Sequence, residues 1–409
     1  VFNDTVEGME TGIKDFARPV GASAITELLP ARPRVLALGE PTHGEESLLD
    51  LRNALFRELV EEQGYRTVVL ESDCLRALTA DAYVTSGEGS LDDVMERGFS
   101  HGWGGSRANR ELVRWMRDFN ANRPADDHVR FAGMDGPLEI TGAESPRQAL
   151  TALHDCLTAH VDAELLPCTA DRLDDLLGAD APWTNEAAMT DPSQSIGRTP
   201  EARELRLLAD DMATLLETQA PHLAAVSSPD DHDRAHLYGR TAVGLLRYHS
   251  WMADTSPARM ARLLATRDEM MAGNLLALAV RGPVLVYAHN SHLQRDKSAM
   301  RMWGHSKVEW WSAGALVSTR LGDQYAHLAM ALGTLKHHGV EAPPPDTVEG
   351  ILHASPEPHY VTDAARLDAA ARHVPAVPRV SPYFGYAPLD PSHLPRIDGV
   401  VYVRNVPHD

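Results

Sequence analysis

Val35-Leu36-Ala37-Leu38-Gly39-Glu40-Pro41-Thr42-His43-Gly44-Glu45-Glu46-Ser47 is the stretch on which the fold turns. Its four leading apolar residues read as a buried strand. They run without a break into a loop carrying a glutamate, a histidine and two glycines. From Ser47 to Glu62 the leucines at 48, 51, 55 and 59 recur at three- and four-residue spacing, which gives a helix one apolar face. Strand, polar loop and covering helix form the unit from which parallel sheets are built.

The same unit recurs outward from this stretch. Thr67 to Leu70 runs into Glu71, Val129 to Ala132 into Gly133-Met134-Asp135, and Val284 to Ala288 into His289. Tyr325 to Leu332 and Val400 to Val403 are two further strands. Arg110 to Asn120, with Leu112, Val113, Met116 and Phe119, is a second one-faced helix. The expected fold is α/β, a mostly parallel central sheet flanked by helices. From about 145 to 275 strand signals vanish, and Glu201 to Thr218 and His232 to Met252 read as helices. The expected division is a core of residues 1–144 and 276–409 interrupted by a helical insertion, 145–275, forming a cap over the active-site cleft. Pro343-Pro344-Pro345 and the cluster around Pro375 and Pro378 are expected in surface loops.

Bulk composition narrows the function. Hydrophobic residues make up 43% of the 409, and the longest apolar stretch, Leu275 to His289, is broken by Arg281, Gly282 and Pro283, so no membrane span is expected. No charged-then-apolar leader opens the sequence, and three cysteines without a CxxC pair suit a reducing compartment, which makes a cytoplasmic location the expectation. A net charge of −20 disfavours nucleic acid as a partner, because phosphates need clustered Lys and Arg. A small-molecule substrate is expected, and the oligomeric state is left open.

The chemistry gathers at the strand ends. Ligands of open parallel sheets bind beyond the carboxyl ends of the strands, and four strands end here in Glu40 with His43, in Glu71, in Asp135, and in His289-Asn290-Ser291-His292. One Glu or His at such a place is more often a cap or turn residue; four at one edge point to a site. There is no G-x-S-x-G elbow, H-E-x-x-H, P-loop or G-x-G-x-x-G, so any hydrolysis is expected to use activated water. His232 and His236 have the i,i+4 spacing of metal ligands, but their acidic surroundings read as a solvated face. His337-His338 is expected in a turn with no partner pattern. Trp303, Trp310 and Trp311 line a substrate wall or pack in the core.

Leu38-Gly39-Glu40-Pro41-Thr42-His43-Gly44 resembles the G-E-x-x-H-G signature of the erythromycin esterase family. Trp115 to Asn120 with Gly133-Met134-Asp135 is similar to its W-x-R-x-x-N and G-x-D elements. Arg267 to Asn274 resembles its R-D-x-x-M-x-x-N helix, Ala288 to His292 its A-H-N-x-H strand end, and Asp398 to Tyr402 a last family element. The resemblance implies hydrolysis of macrolide lactones with no cofactor, by water that His43 activates. It implies that Glu40 and Glu71 orient His43 and stabilise its charged form, and that His289 and His292 flank the substrate carbonyl. Arg52 and Arg267 would support the carboxylates, with Asp135 behind them and Trp103 at the substrate. The chain departs from the family pattern in its dense acid at Glu45-Glu46 and in a Gly102-to-Ser106 run looser than expected.

Three other readings stand beside this one. The same Glu/His centre suits a biosynthetic tailoring enzyme performing elimination, cyclisation or acyl transfer. Two glutamates and three histidines are also a sensible ligand set for a divalent metal such as Zn or Mn. The third is a small-molecule binding protein without catalysis.

Overall fold

The computed structural model describes residues 17–139, 142–301 and 307–408. The stretch that opened the sequence reading forms a wholly buried strand, β1 (Val35–Glu40), near the middle of a seven-stranded sheet. The remaining strands are β2 (Thr67–Asp73), β3 (Arg130–Asp135), β4 (Val284–His289), β5 (Tyr325–Thr334), β6 (His359–Asp363) and β7 (Gly399–Asn405). In space they run β6-β7-β5-β1-β4-β2-β3, and every pairing is parallel except β6 with β7. The sheet is therefore mostly parallel, as the apolar runs required. Sequence reading missed β6 because it is an edge strand, and its His359-Tyr360-Val361-Thr362-Asp363 run mixes polar residues in, as edges do.

Helix α1 (Glu46–Gln63) and helix α2 (Arg107–Asn120) both cover one face. Strand side chains alternate, so Leu36, Leu38, Leu285 and Tyr287 meet Leu55, Phe56, Leu112 and Met116 there. Between β3 and β4 the described residues add no strand to this sheet. They form helices, chief among them α3 (Arg147–Thr158), α4 (Pro200–Thr218), α5 (Pro229–Met252) and α6 (Arg259–Arg281). The first three bury a core of their own around Leu153, Leu205, Met212 and Leu246. Helix α6 runs unbroken through residue 275, where the insertion was expected to end. Its Leu263 and Met270 pack with the insertion, while Met271, Leu275 and Ala279 pack beneath the second sheet face against Val35, Ala37 and Val286. One rigid helix thus ties the insertion to the sheet. No helix among the described residues is long and apolar enough to cross a membrane.

Candidate active site

Parallel order delivers the strand ends to one edge. Glu40 and His289 are register partners across β1 and β4, and Glu71 follows Leu70, the partner of Tyr287. Asp135 lies opposite Asp73, past an irregularity in β2 between Leu70 and Asp73. Gly39 makes the close approach possible. A Cβ there would stand 2.2 Å from Asn290 Oδ1 and 3.1 Å from its Cα. Asn290 in turn is clamped to β5, donating to Met330 O at 2.8 Å and accepting from Met330 N at 3.2 Å. Gly44 has φ +83°, a turn that favours glycine and brings the chain from His43 into α1.

His43 stands at the centre. Its Nδ1 donates to Oε1 of the buried Glu40 at 2.6 Å, while its Nε2 lies 4.0 Å from Glu71 and its side chain is 43% exposed. Desolvation alone would lower its pKa. The charges of Glu71 and Glu40 and the Glu40 hydrogen bond outweigh both that and the opposing charge of Arg267, raising it to about 9. At neutral pH His43 is therefore mostly an imidazolium. His292 is buried, with Nδ1 donating to Asp268 Oδ1 at 2.5 Å and Nε2 3.3 Å from Glu71. Burial opposes its charge, but Asp268 and Glu71 raise its pKa. His289 is the opposite case. Burial, then the neighbouring His43, lower its pKa to about 3, so it is neutral. Its ring lies 5.1 Å from that of His43.

Glu71 joins these groups. One oxygen accepts from the His289 backbone N–H at 2.8 Å and the other from Arg267 Nη2 at 3.1 Å. Burial would raise its pKa, yet His292, His43 and Arg267 hold it well below the usual carboxylate range. Arg267 also binds Asp135, through Nε and through Nη2 at 2.7 Å, so one guanidinium bridges two buried carboxylates. Among the described residues, no trio that includes Glu71 has its ligand atoms all within 4.8 Å of one another.

The expected site residues converge with one exception in kind. Glu40, His43, Glu71, His289, His292, Arg267 and Asp135 form one network, and Trp103 places its ring 5.6 Å from that of His43. Arg52 is buried on α1 behind them. It donates to the amide oxygens of Asn53 and Asn109 and lies over the Tyr287 ring at 5.1 Å. With Glu40, Gly44, Leu49, Trp103 and Tyr287 it lines a cavity of about 230 Å³.

Two members were not read from the sequence. Asp268 holds His292, and the buried Trp310 donates to its other oxygen. Its position beside Arg267 in the R-D-x-x-M-x-x-N run was the available signal. His101 donates from Nδ1 to Glu139 at 2.6 Å and from Nε2 to Asp135 at 3.2 Å, which takes a proton on each nitrogen, and its pKa is raised accordingly despite burial. Its φ of 56° is unusual for a residue with a side chain, and such strain gathers at functional sites. No motif signalled it.

Trp310 and Trp311 do not form a common wall. Trp310 supports Asp268, Trp311 is exposed beneath Lys297, and Trp303 lies outside the described residues. His232 and His236 pack edge to face on α5, 4.4 Å apart. His337-His338, expected to lack a partner, faces Glu45. The acid after His43 also has a tertiary purpose at Glu46, whose carboxylate accepts the Arg107 and Ala108 backbone N–H groups at the start of α2.

Comparison with known proteins gives a consistent result. The family model described as Erythromycin esterase matches residues 60–406, beginning beyond the Gly39-to-Gly44 run. Erythromycin esterase type II of Escherichia coli is 24% identical over 314 residues, 75% of this chain and 70% of that protein. The crystal structure of a Bacillus cereus protein superposes with a TM-score of 0.73 at 18% identity, covering 98% of each chain. A histidine-to-asparagine mutant of erythromycin esterase EreC, solved in its open conformation, superposes with a TM-score of 0.67 at 17% identity, over 95% of this chain and 94% of that one.

Proposed function

This chain belongs to the erythromycin esterase family, and from that premise we propose that it hydrolyses a macrolactone or other ester of a small-molecule natural product with water activated by His43. It is an esterase-like enzyme. The observation that carries the mechanism is the asymmetry of His43. Buried Glu40 holds Nδ1, while Nε2 lies 4.0 Å from Glu71 on a side chain that is 43% exposed. A water on Nε2 loses its proton as its oxygen attacks the carbonyl carbon. The oxyanion that forms is stabilised by His292 and by His289. The C–O bond then breaks, the alkoxide takes a proton from an imidazolium, and a hydroxy acid leaves. The helices between β3 and β4 serve as the cap that selects the substrate.

The raised pKa makes this testable. A base must be neutral, and with a pKa of about 9 only about 1% of His43 is neutral at pH 7. The rate constant kcat/KM is expected to climb about tenfold per pH unit and level near pH 9. Glu40→Gln removes a charge that raises the pKa, so the limb moves to lower pH while the plateau drops. A profile flat from pH 6 to 9 in the parent enzyme sinks His43 as the base. The same shift links to stability. The pairing of charged His43 with its carboxylates is fully present below the unfolded pKa of about 6.5 and is lost as pH rises through about 9.

The proposed mechanism routes no step through a metal, and Arg267 pairs with Glu71 and Asp135 beside it. The product decides between hydrolysis and tailoring chemistry. Incubation with macrolides of differing ring size in ¹⁸O-water should add one labelled water, with or without EDTA. Conversion without a mass gain identifies elimination or cyclisation.

A further inference from the structure

The loops after β1 and β5 emerge side by side because those strands are paired neighbours. From the first comes Glu45. It occupies the N-cap position of α1 with an extended backbone, yet its carboxylate caps nothing. It is 8% exposed and turned toward His337 and His338 on the turn after β5. His337 Nε2 lies 3.1 Å from the carboxylate and His338 Nε2 3.7 Å, and the three donor atoms all fall within 4.8 Å of one another. Among the described residues this is the group of His, Cys, Asp and Glu side chains whose ligand atoms converge in this way.

The geometry points to a Zn²⁺ site formed by Glu45, His337 and His338, outside the catalytic network. Zinc takes nitrogen and carboxylate ligands at about 2.0–2.2 Å in a tetrahedron, which sets ligand atoms roughly 3.3 Å apart. The two carboxylate-to-imidazole spacings, 3.1 and 3.7 Å, lie close to that value. The histidines are also held in place, as metal ligands are by the groups around them. Leu335 and Val340 close the turn with two backbone hydrogen bonds of 2.8 and 3.0 Å, and Gly339 takes φ +72° to let it close. The His338 ring stacks flat on Tyr383, centroids 4.0 Å apart, and the His337 ring lies 4.8 Å from that of His408. A bound ion leaves one position for water or a further ligand. It also pins the chain two residues after His43 to the turn after β5, which makes the site a brace for the catalytic loop. The binding itself does not depend on the reading of the catalytic centre.

The test uses the full chain after chelator treatment, with Zn²⁺ alone as the probe in calorimetry and elemental analysis. One equivalent is expected to bind and to raise the Tm. His337→Ala and His338→Phe, the latter keeping a ring on Tyr383, should weaken binding by at least about 10–100-fold and abolish the Tm rise. His292→Ala should retain both. Circular dichroism of the metal-free variants shows that they fold. The proposal is overturned by absence of stoichiometric binding in the parent chain, or by binding that survives His337→Ala and His338→Phe but is lost in His292→Ala.

Discussion

Replacing His43 with alanine is expected to lower kcat by about a hundred- to ten-thousandfold on any ester the parent enzyme turns over, with KM nearly unchanged. The effect falls on kcat because the imidazole acts on water, and its hold on the substrate's ground state is small. Stability should move far less, since the His43 side chain is 43% exposed and water can take its place beside Glu40. Added imidazole should restore part of the rate by occupying the vacated position. Steady-state kinetics with circular dichroism as the folding control makes the measurement. Full activity in the variant eliminates the mechanism, and a loss that imidazole cannot restore and that accompanies unfolding assigns His43 to structure.

Arg267→Met should be the most destabilising single change in the centre, at about 3–5 kcal/mol, the cost of stranding a buried charge. The guanidinium pairs with both Glu71 and Asp135, and both carboxylates are almost wholly buried. Methionine fills much of the volume and supplies none of the charge. The sign with pH follows from the direction of the shifts. Both carboxylates have depressed pKa values in the folded protein, so their pairing stabilises above their unfolded values near 4 and is lost as pH falls through the folded ones. Without Arg267 those folded values rise, and the deficit should be largest at neutral pH and shrink in acid. Urea unfolding at pH 5 and pH 8 measures it, and Asp135→Asn in the same background should recover part of the loss. A variant as stable as its parent at pH 8 contradicts the bridging role.

The centre was legible because of a property of parallel sheets. Apolar runs that end in Glu40, Glu71, Asp135 and His289 must deliver those residues to one edge once the strands lie parallel, whatever their separation in the chain. His101 and Asp268 were not legible. The first reaches the centre through a loop in which a histidine adopts φ 56°, and the second through its side on a long helix, and neither position follows from strand periodicity. Arg52 shows the limit of helical periodicity as well. It sits on the buried face of α1 beside Asn53, among apolar neighbours, where Asn109 of α2 meets it.

His337-His338 and Glu45 mark the same boundary most clearly. Alone, the first is a pair in a turn and the second an excess acid after the catalytic histidine. They meet only because β5 pairs with β1, bringing together residues 292 positions apart. The α/β architecture, the parallel edge and the residues that end its strands are written in consecutive residues, because buried strands and one-faced helices each impose their own periodicity. Tertiary structure alone decided strand order, protonation and partners. Which carboxylate sits beside which imidazole depends on packing between distant segments, and a pKa is set by those neighbours and by burial.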